Sequence, residues 1–213
     1  MDKALHELLY YYNEDGYEGY DLSEVQLLEE IDAERVEQLK ALLLHEDPYV
    51  AYQAMLILLA WAVPEGFALL DRFIAEQWAH TTSFEPHRLY GEDNVYDVIA
   101  HALSVATLNG KSEVELYPYL QQFLRMYGDH FFESRLADFL LRKDCRPLLK
   151  EMEEAMERAL QRQRYYQASQ LFPVLVHYDK EAFARYSAVF SELTRLDDRI
   201  AYNTAAASAA AAH

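Results

Sequence analysis

From Asp47-Pro48 to about Ala62 the chain is apolar nearly all round: Val50, Ala54, Leu56, Ile57, Leu58, Leu59 and Trp61 leave no polar face. Proline at a first helical position sacrifices nothing, because that N–H has no intrahelical acceptor. The apolar run Met55 to Val63 is far shorter than the roughly 20 residues needed to span a bilayer. A helix of this kind has to be enclosed by other elements, each offering it an apolar face. That requirement constrains the fold more than any other feature of the sequence.

The rest of the chain supplies such faces at helical spacing. A first helix is expected from about Asp2 to Tyr12, with Leu5, Leu8 and Leu9 on one side. Ser23 and Gln26 have capping-box spacing, with Leu22 placed to pack on Leu27, which predicts a short helix from Glu24. Asp32 is a candidate N-cap ahead of Val36, Leu39, Leu42 and Leu43. Pro64 opens a helix carrying Phe67, Leu70, Phe73, Ile74 and Trp78. The stretch His80–Glu92, with Pro86 and Gly91, reads as a longer connection. Asp93 or Asn94 then caps a helix that ends at Asn109-Gly110. Further helices are predicted around Pro118–Tyr127, after Asp129 and after Asp144. Pro173 is expected to kink or split the stretch Tyr166–Val176, and Asp179 to cap a last helix bearing Phe183, Tyr186, Phe190 and Leu193. No segment alternates with period two, and six Gly and six Pro are few for a β-rich chain. The expected class is all-α, as antiparallel helix pairs in one domain over residues 1–202. The alanine-rich tail 203–213 is compatible with a continued helix or with an appended extension and carries no functional expectation.

A content of 52 % hydrophobic and 26 % charged residues excludes a disordered chain. The single Cys145 rules out an intramolecular disulfide framework, and the start lacks a basic segment followed by an apolar one, so a cytoplasmic protein without a signal peptide is expected. Net charge is −17 and unevenly spread. Residues 1–47 hold 14 acids and 3 bases, whereas residues 111–150 hold 6 and 7. An acidic field of this kind repels nucleic acid and anionic membrane and draws basic partners in.

The segment Leu43-Leu-His-Glu-Asp-Pro-Tyr-Val-Ala-Tyr-Gln-Ala54 resembles the junction inside a HEAT repeat, where Asp-Pro-x-Val opens the second helix and small apolar residues pack it on the first. The family usually has a basic residue after that Val, where this chain has Ala51, and Asp144-Cys-Arg-Pro147 is only a distant echo. The resemblance implies a HEAT-like α-solenoid. In size, acidity and helical character the chain also resembles immunity proteins of bacterial toxin–immunity pairs, which implies capture of a cognate toxin.

Candidate chemistry is sparse. Glu-x-x-His and His-Glu-x-x-His are absent, as are glycine-rich phosphate loops and Gly-x-Ser-x-Gly. Glu76 and His80 stand one turn apart without further ligands. Cys145 lies near a helix start, where a thiol can be activated, but has no identifiable His partner. No catalytic residue, cofactor or metal is therefore assigned. The most unusual stretch is Tyr10 to Asp21, with five tyrosines and four acids in twelve residues. Tyrosine offers large contact area with few torsions to freeze, and interspersed carboxylates suit a basic partner. Tyr10, Tyr11, Tyr12, Glu14, Asp15, Tyr17, Glu18, Tyr20, Asp21 and Glu24 are accordingly the candidate partner-binding residues, with an N-terminal cap as the competing role. His87, Arg88, Tyr90 and Glu92 form a second, weaker group. The function expected is an acidic protein-binding module, an immunity protein occluding a basic toxin domain such as a nuclease. The alternatives are a general helical adaptor and an unrecognised helical enzyme.

Overall fold

The computed structural model describes residues 3–11, 19 and 21–212. Among them lie twelve α-helices: α1 (Lys3–Tyr10), α2 (Leu22–Gln26), α3 (Ala33–Leu42), α4 (Pro48–Ala60), α5 (Pro64–Ala75), α6 (Val95–Ala106), α7 (Glu113–Met126), α8 (Arg135–Arg142), α9 (Leu149–Gln161), α10 (Tyr165–Tyr178), α11 (Glu181–Leu193) and α12 (Asp198–Ala212). Single turns of 3-10 helix occur at Trp78–His80 and Arg146–Leu148. The described residues contain no strand, and the fold is all-α. No described helix is long and apolar enough to cross a membrane. The chain groups into two compact units, residues 1–86 with 101–112, and residues 87–100 with 113–213.

The first unit is organised by α4. Asp47 accepts the Tyr49 amide at 2.9 Å, Pro48 takes the first helical position, and Val50 to Ala60 are all buried. The helices α2, α3 and α5 pack on it. Polar groups in this core are spent on helix ends and carbonyls. Trp61 donates its indole N–H to the Val25 carbonyl (3.1 Å), Gln26 donates to the Leu56 carbonyl (3.2 Å), and Asn109 donates to Ala60 at the end of α4 (2.8 Å). Ala62, at φ 58°, closes α4 in the left-handed conformation: its amide bonds Leu59 and the Val63 amide bonds Leu58 (both 2.9 Å), the pairing of a Schellman motif. Gly66 allows α5 to approach, since a Cβ there would lie 2.9 Å from both Leu58 Cβ and the Leu59 nitrogen.

The capping box before α2 is present two residues earlier than the sequence suggests. Asp21 is the N-cap and Glu24 its partner, while Ser23 sits inside the first turn. Leu27 is 53 % exposed and forms no staple. A carboxylate at 21 accepts the Ser23 amide at 2.7 Å, which leaves the Ser23 side chain to hydrogen-bond Asp21 instead of capping.

In the second unit α10 is the central helix, touching α8, α9, α11 and α12. Phe172 stacks on Phe190 (4.6 Å) and Phe183 (5.9 Å). Pro173 lies inside α10 without breaking it. An internal proline, through its missing N–H and its ring's clash with the preceding turn, costs a helix about 3 kcal/mol or more; packing on four neighbours outweighs it. Pro118 is likewise internal, because α7 starts at Glu113, with Glu113 and Glu115 favourably placed at its N-terminus. Asp129 does not cap α8; it pairs with Arg162. The α8 N-terminus is capped from α6, by Asp97, whose two carboxylate oxygens accept the Leu136 (3.0 Å) and Arg135 (3.4 Å) amides. Asp179 accepts the Glu181 amide at 3.0 Å at the start of α11, as expected, but α11 is not the last helix, since α12 follows it. Residues 203–212 belong to α12, which packs along α10 with Ile200 and Ala207 buried.

Candidate functional site

Of the ten candidate partner-binding residues, Tyr12, Glu14, Asp15, Tyr17, Glu18 and Tyr20 lie outside the described residues. The four that are described have local work. Tyr10 is half-buried, with its ring 4.9 Å from that of His6, and its hydroxyl accepts from the Gln53 amide on α4. Tyr11 meets His6 edge-on at 6.2 Å. Asp21 and Glu24 form the capping box of α2, with Glu24 accepting the Asp21 amide at 3.3 Å. The Gly19 amide bonds the Tyr10 carbonyl at 2.7 Å, so the two ends of the segment are tied together.

The second group, in the 87–92 loop, leads to a more organised constellation. His87 stacks on Tyr90 (centroids 5.0 Å apart, 23° between planes). The Arg199 guanidinium lies over the Tyr90 ring at 5.2 Å and over Tyr166 at 3.9 Å. The four side chains thus contact one another in series, His87, Tyr90, Arg199, Tyr166, drawn from one loop, α12 and α10. Each ionic member has its own partner. Arg199 donates to both Asp197 oxygens (Nε to Oδ1 3.0 Å, Nη2 to Oδ2 2.6 Å), which holds the Asp197 carboxyl below the usual range and the guanidinium above it. Arg164 pairs with Glu92. His87 Nδ1 accepts the Leu89 amide (3.2 Å), so the ring proton sits on Nε2 and is donated to Glu133 (3.1 Å). Burial raises the Tyr166 hydroxyl pKa.

A cleft of about 330 Å³ opens beside this series, walled by Tyr90, Phe131, Tyr166, Leu196 and the two ion pairs. A second, of about 350 Å³, lies between α8, α10 and α12, and Tyr166 and Arg199 line both. The α10 and α12 contributions were not visible in sequence. They stand more than 70 positions from Tyr90, and the only local hint was Asp197-x-Arg199, a spacing that usually marks a helix start.

Cys145 and Glu76, the groups named for candidate chemistry, have local surroundings that set their protonation. Cys145 is buried, and desolvation pushes its thiol up to about 12, which keeps it protonated. Glu76 accepts from the Trp78 indole (2.8 Å) and from Arg72 (3.4 Å), bonds that hold its carboxyl below the usual range. Among the described residues no three His, Cys, Asp or Glu side chains gather as a metal-ligand set. Comparison with family models, with curated proteins and with solved structures finds no match.

Proposed function

We propose that the chain is an acidic protein-binding module that captures a basic partner domain, on the pattern of an immunity protein occluding a toxin such as a nuclease. The observation that carries this reading is the division of charge between the two units. The first holds 18 acids and 5 bases, a net of −13, and the second 18 and 14, a net of −4. The few bases of the first unit are engaged: Lys3 with Glu7, Lys40 with Glu37 and Glu65, Arg72 with Glu76, Arg35 on the Leu8 carbonyl and Lys111 over Phe67. Glu29, Glu30, Glu46 and Asp71 are exposed and form no ion pair among the described residues. A surface so unbalanced concentrates a basic partner and speeds encounter. The Tyr10–Glu24 segment, on the same unit, supplies the aromatic contact area. We also read the helices as HEAT-like stacked pairs, supported by contacts between alternate helices: α1 with α3 and α2 with α4 in one unit, α7 with α9, α8 with α10 and α10 with α12 in the other. The general adaptor is the second reading, favoured by the two clefts along α10.

The test is a binding titration against basic effector domains encoded beside the gene. A one-to-one complex is expected, with an association rate that falls at least tenfold from low to high ionic strength. Lysine replacements of Glu29, Glu30, Glu46 and Asp71 should slow association similarly at low salt. A rate indifferent to both overturns the proposal.

A further inference from the structure

The turn that follows α6 carries Asn109-Gly110, and its asparagine completes the end of another helix. The last four carbonyls of an α-helix have no donor within the helix. At the end of α4 three of them find backbone amides: Ile57 accepts from Trp61 (3.0 Å), Leu59 from Ala62 and Leu58 from Val63 (both 2.9 Å). The fourth belongs to Ala60. Its partner in a continued helix would be the nitrogen of Pro64, which carries no proton. The Asn109 side chain takes that place, with Nδ2 donating to the Ala60 carbonyl at 2.8 Å. Ala60 is fully buried, so its carbonyl depends on a partner from within the chain.

The same pair is open to reaction. Asn109 and Gly110 are both exposed. The Gly110 nitrogen donates to no group among the described residues. Gly110 takes φ 93° in open space, where an added Cβ would meet nothing within 4 Å. A backbone nitrogen that is neither hydrogen-bonded nor shielded by a side chain is a competent nucleophile, and the Asn109 carboxamide carbon lies within reach of a five-membered ring closure.

We propose that Asn109-Gly110 is a site of spontaneous, irreversible modification that unlatches the end of α4. The Gly110 nitrogen gives up its proton and attacks Asn109 Cγ. The N–Cγ bond forms, the Cγ–Nδ2 bond breaks, and Nδ2 leaves as ammonia with the proton that the backbone nitrogen lost. The resulting succinimide takes up one water. Opening at Cγ gives aspartate, and opening at the backbone carbonyl gives isoaspartate. Departure of Nδ2 removes the donor to Ala60 in the same step. Either product sets a carboxylate beside a buried carbonyl at the negative end of the α4 dipole, in a unit that already stands at −13. The site is independent of what the acidic surface binds.

The experiment keeps the whole purified chain folded at mildly alkaline pH and follows it by peptide mass mapping and isoaspartate labelling. Asn109 should convert at least tenfold faster than Asn94 and Asn203, whose following residues, Val95 and Thr204, are β-branched. The rate should rise in proportion to hydroxide, and Gly110→Ala should slow it about tenfold. Asn109→Asp supplies a product directly. Its urea midpoint should fall, and the Trp61, Ala62 and Val63 amides should exchange about tenfold faster, as for the loss of one buried hydrogen bond. An Asn109 that stays an amide in the folded chain overturns the proposal. So does a rate no faster than that of Asn94 and Asn203, or an Asn109→Asp chain with the wild-type midpoint and exchange.

Discussion

Asp97 shows how much a single side chain carries here. It is 1 % exposed, belongs to α6, and supplies the cap that α8 does not find in its own sequence. Burial raises its carboxyl to about 6, against the opposing pull of the Leu136 and Arg135 amides. The folded chain therefore keeps a proton, between about pH 4 and pH 6, that the unfolded chain has released. Its contribution to stability is present at the acid end of that window and is lost as pH rises through about 6. The distance between the two values corresponds to about 3 kcal/mol, at 1.36 kcal/mol per pH unit. Denaturant unfolding of the wild type and Asp97→Asn at pH 5 and pH 7 checks this. The wild type should lose about 1.4 kcal/mol relative to the variant on going from pH 5 to pH 7, the part of that amount that falls above pH 5, and a pH-independent difference would show that the carboxyl does not titrate there. A second residue-scale expectation concerns Ala62, Gln77 and Gln163, which take positive φ after α4, α5 and α9. Glycine ordinarily fills that place, so the ends of these helices were not legible in a chain with six glycines. Ala62→Gly should raise stability by about 0.5–1 kcal/mol, read as a higher urea midpoint, because the Cβ strain disappears while the two closing hydrogen bonds remain.

At the scale of elements, the apolar periodicity told most and the punctuation least. The enclosed character of α4 follows directly from residues 48–62, and Asp32, Asp47 and Asp179 cap as their positions suggest. The continuity of α10 through Pro173 and the cap of α8 were not legible, since each depends on neighbours distant in sequence, whereas the start of α7 carries a local mark in Glu113 and Glu115. The loop before α8 is a case in point. Gln167, from α10, accepts the Phe132 amide (3.1 Å) and donates to the His130 carbonyl (3.1 Å), while Tyr127 donates to the Gln167 carbonyl (2.8 Å). A glutamine in an apolar stretch gives no sign of holding a loop. Gln167→Leu should lower stability by about 2–3 kcal/mol, since buried amide and carbonyl groups of the loop lose their partners; an unchanged urea midpoint would mean that the loop finds other partners. The α4–α5 contact gives a matching expectation. Alanine at Gly66 adds helix propensity worth about 1 kcal/mol, but its Cβ meets the Leu59 backbone nitrogen, which cannot rotate away. A net loss of about 1–3 kcal/mol is expected, and a stabilised variant would show that α5 moves aside freely.

For the whole molecule, charge leads to two expectations of opposite sign. The first unit, at −13, works against its own compaction, since like charges at close range repel and few cations are present to offset them. Among the described residues the ion pairs of this unit, Lys3–Glu7, Lys40–Glu37, Lys40–Glu65 and Arg72–Glu76, lie at the surface and contribute little. Added salt screens repulsion over a Debye length of about 10 Å at 0.1 M, so the first unit should gain stability as salt rises. The second, at −4 and rich in paired charges, should change less. Amide hydrogen exchange at low and high salt reads the units separately: protection in α3, α4 and α5 should rise, with a smaller change in α9 and α10. The same salt should slow capture of a basic partner by that surface. Self-repulsion and partner attraction share one origin, so a first unit that loses protection with salt would show that its ion pairs outweigh its excess charge. The acidic surface would then be balanced locally, and its pull on a basic partner would be correspondingly weak.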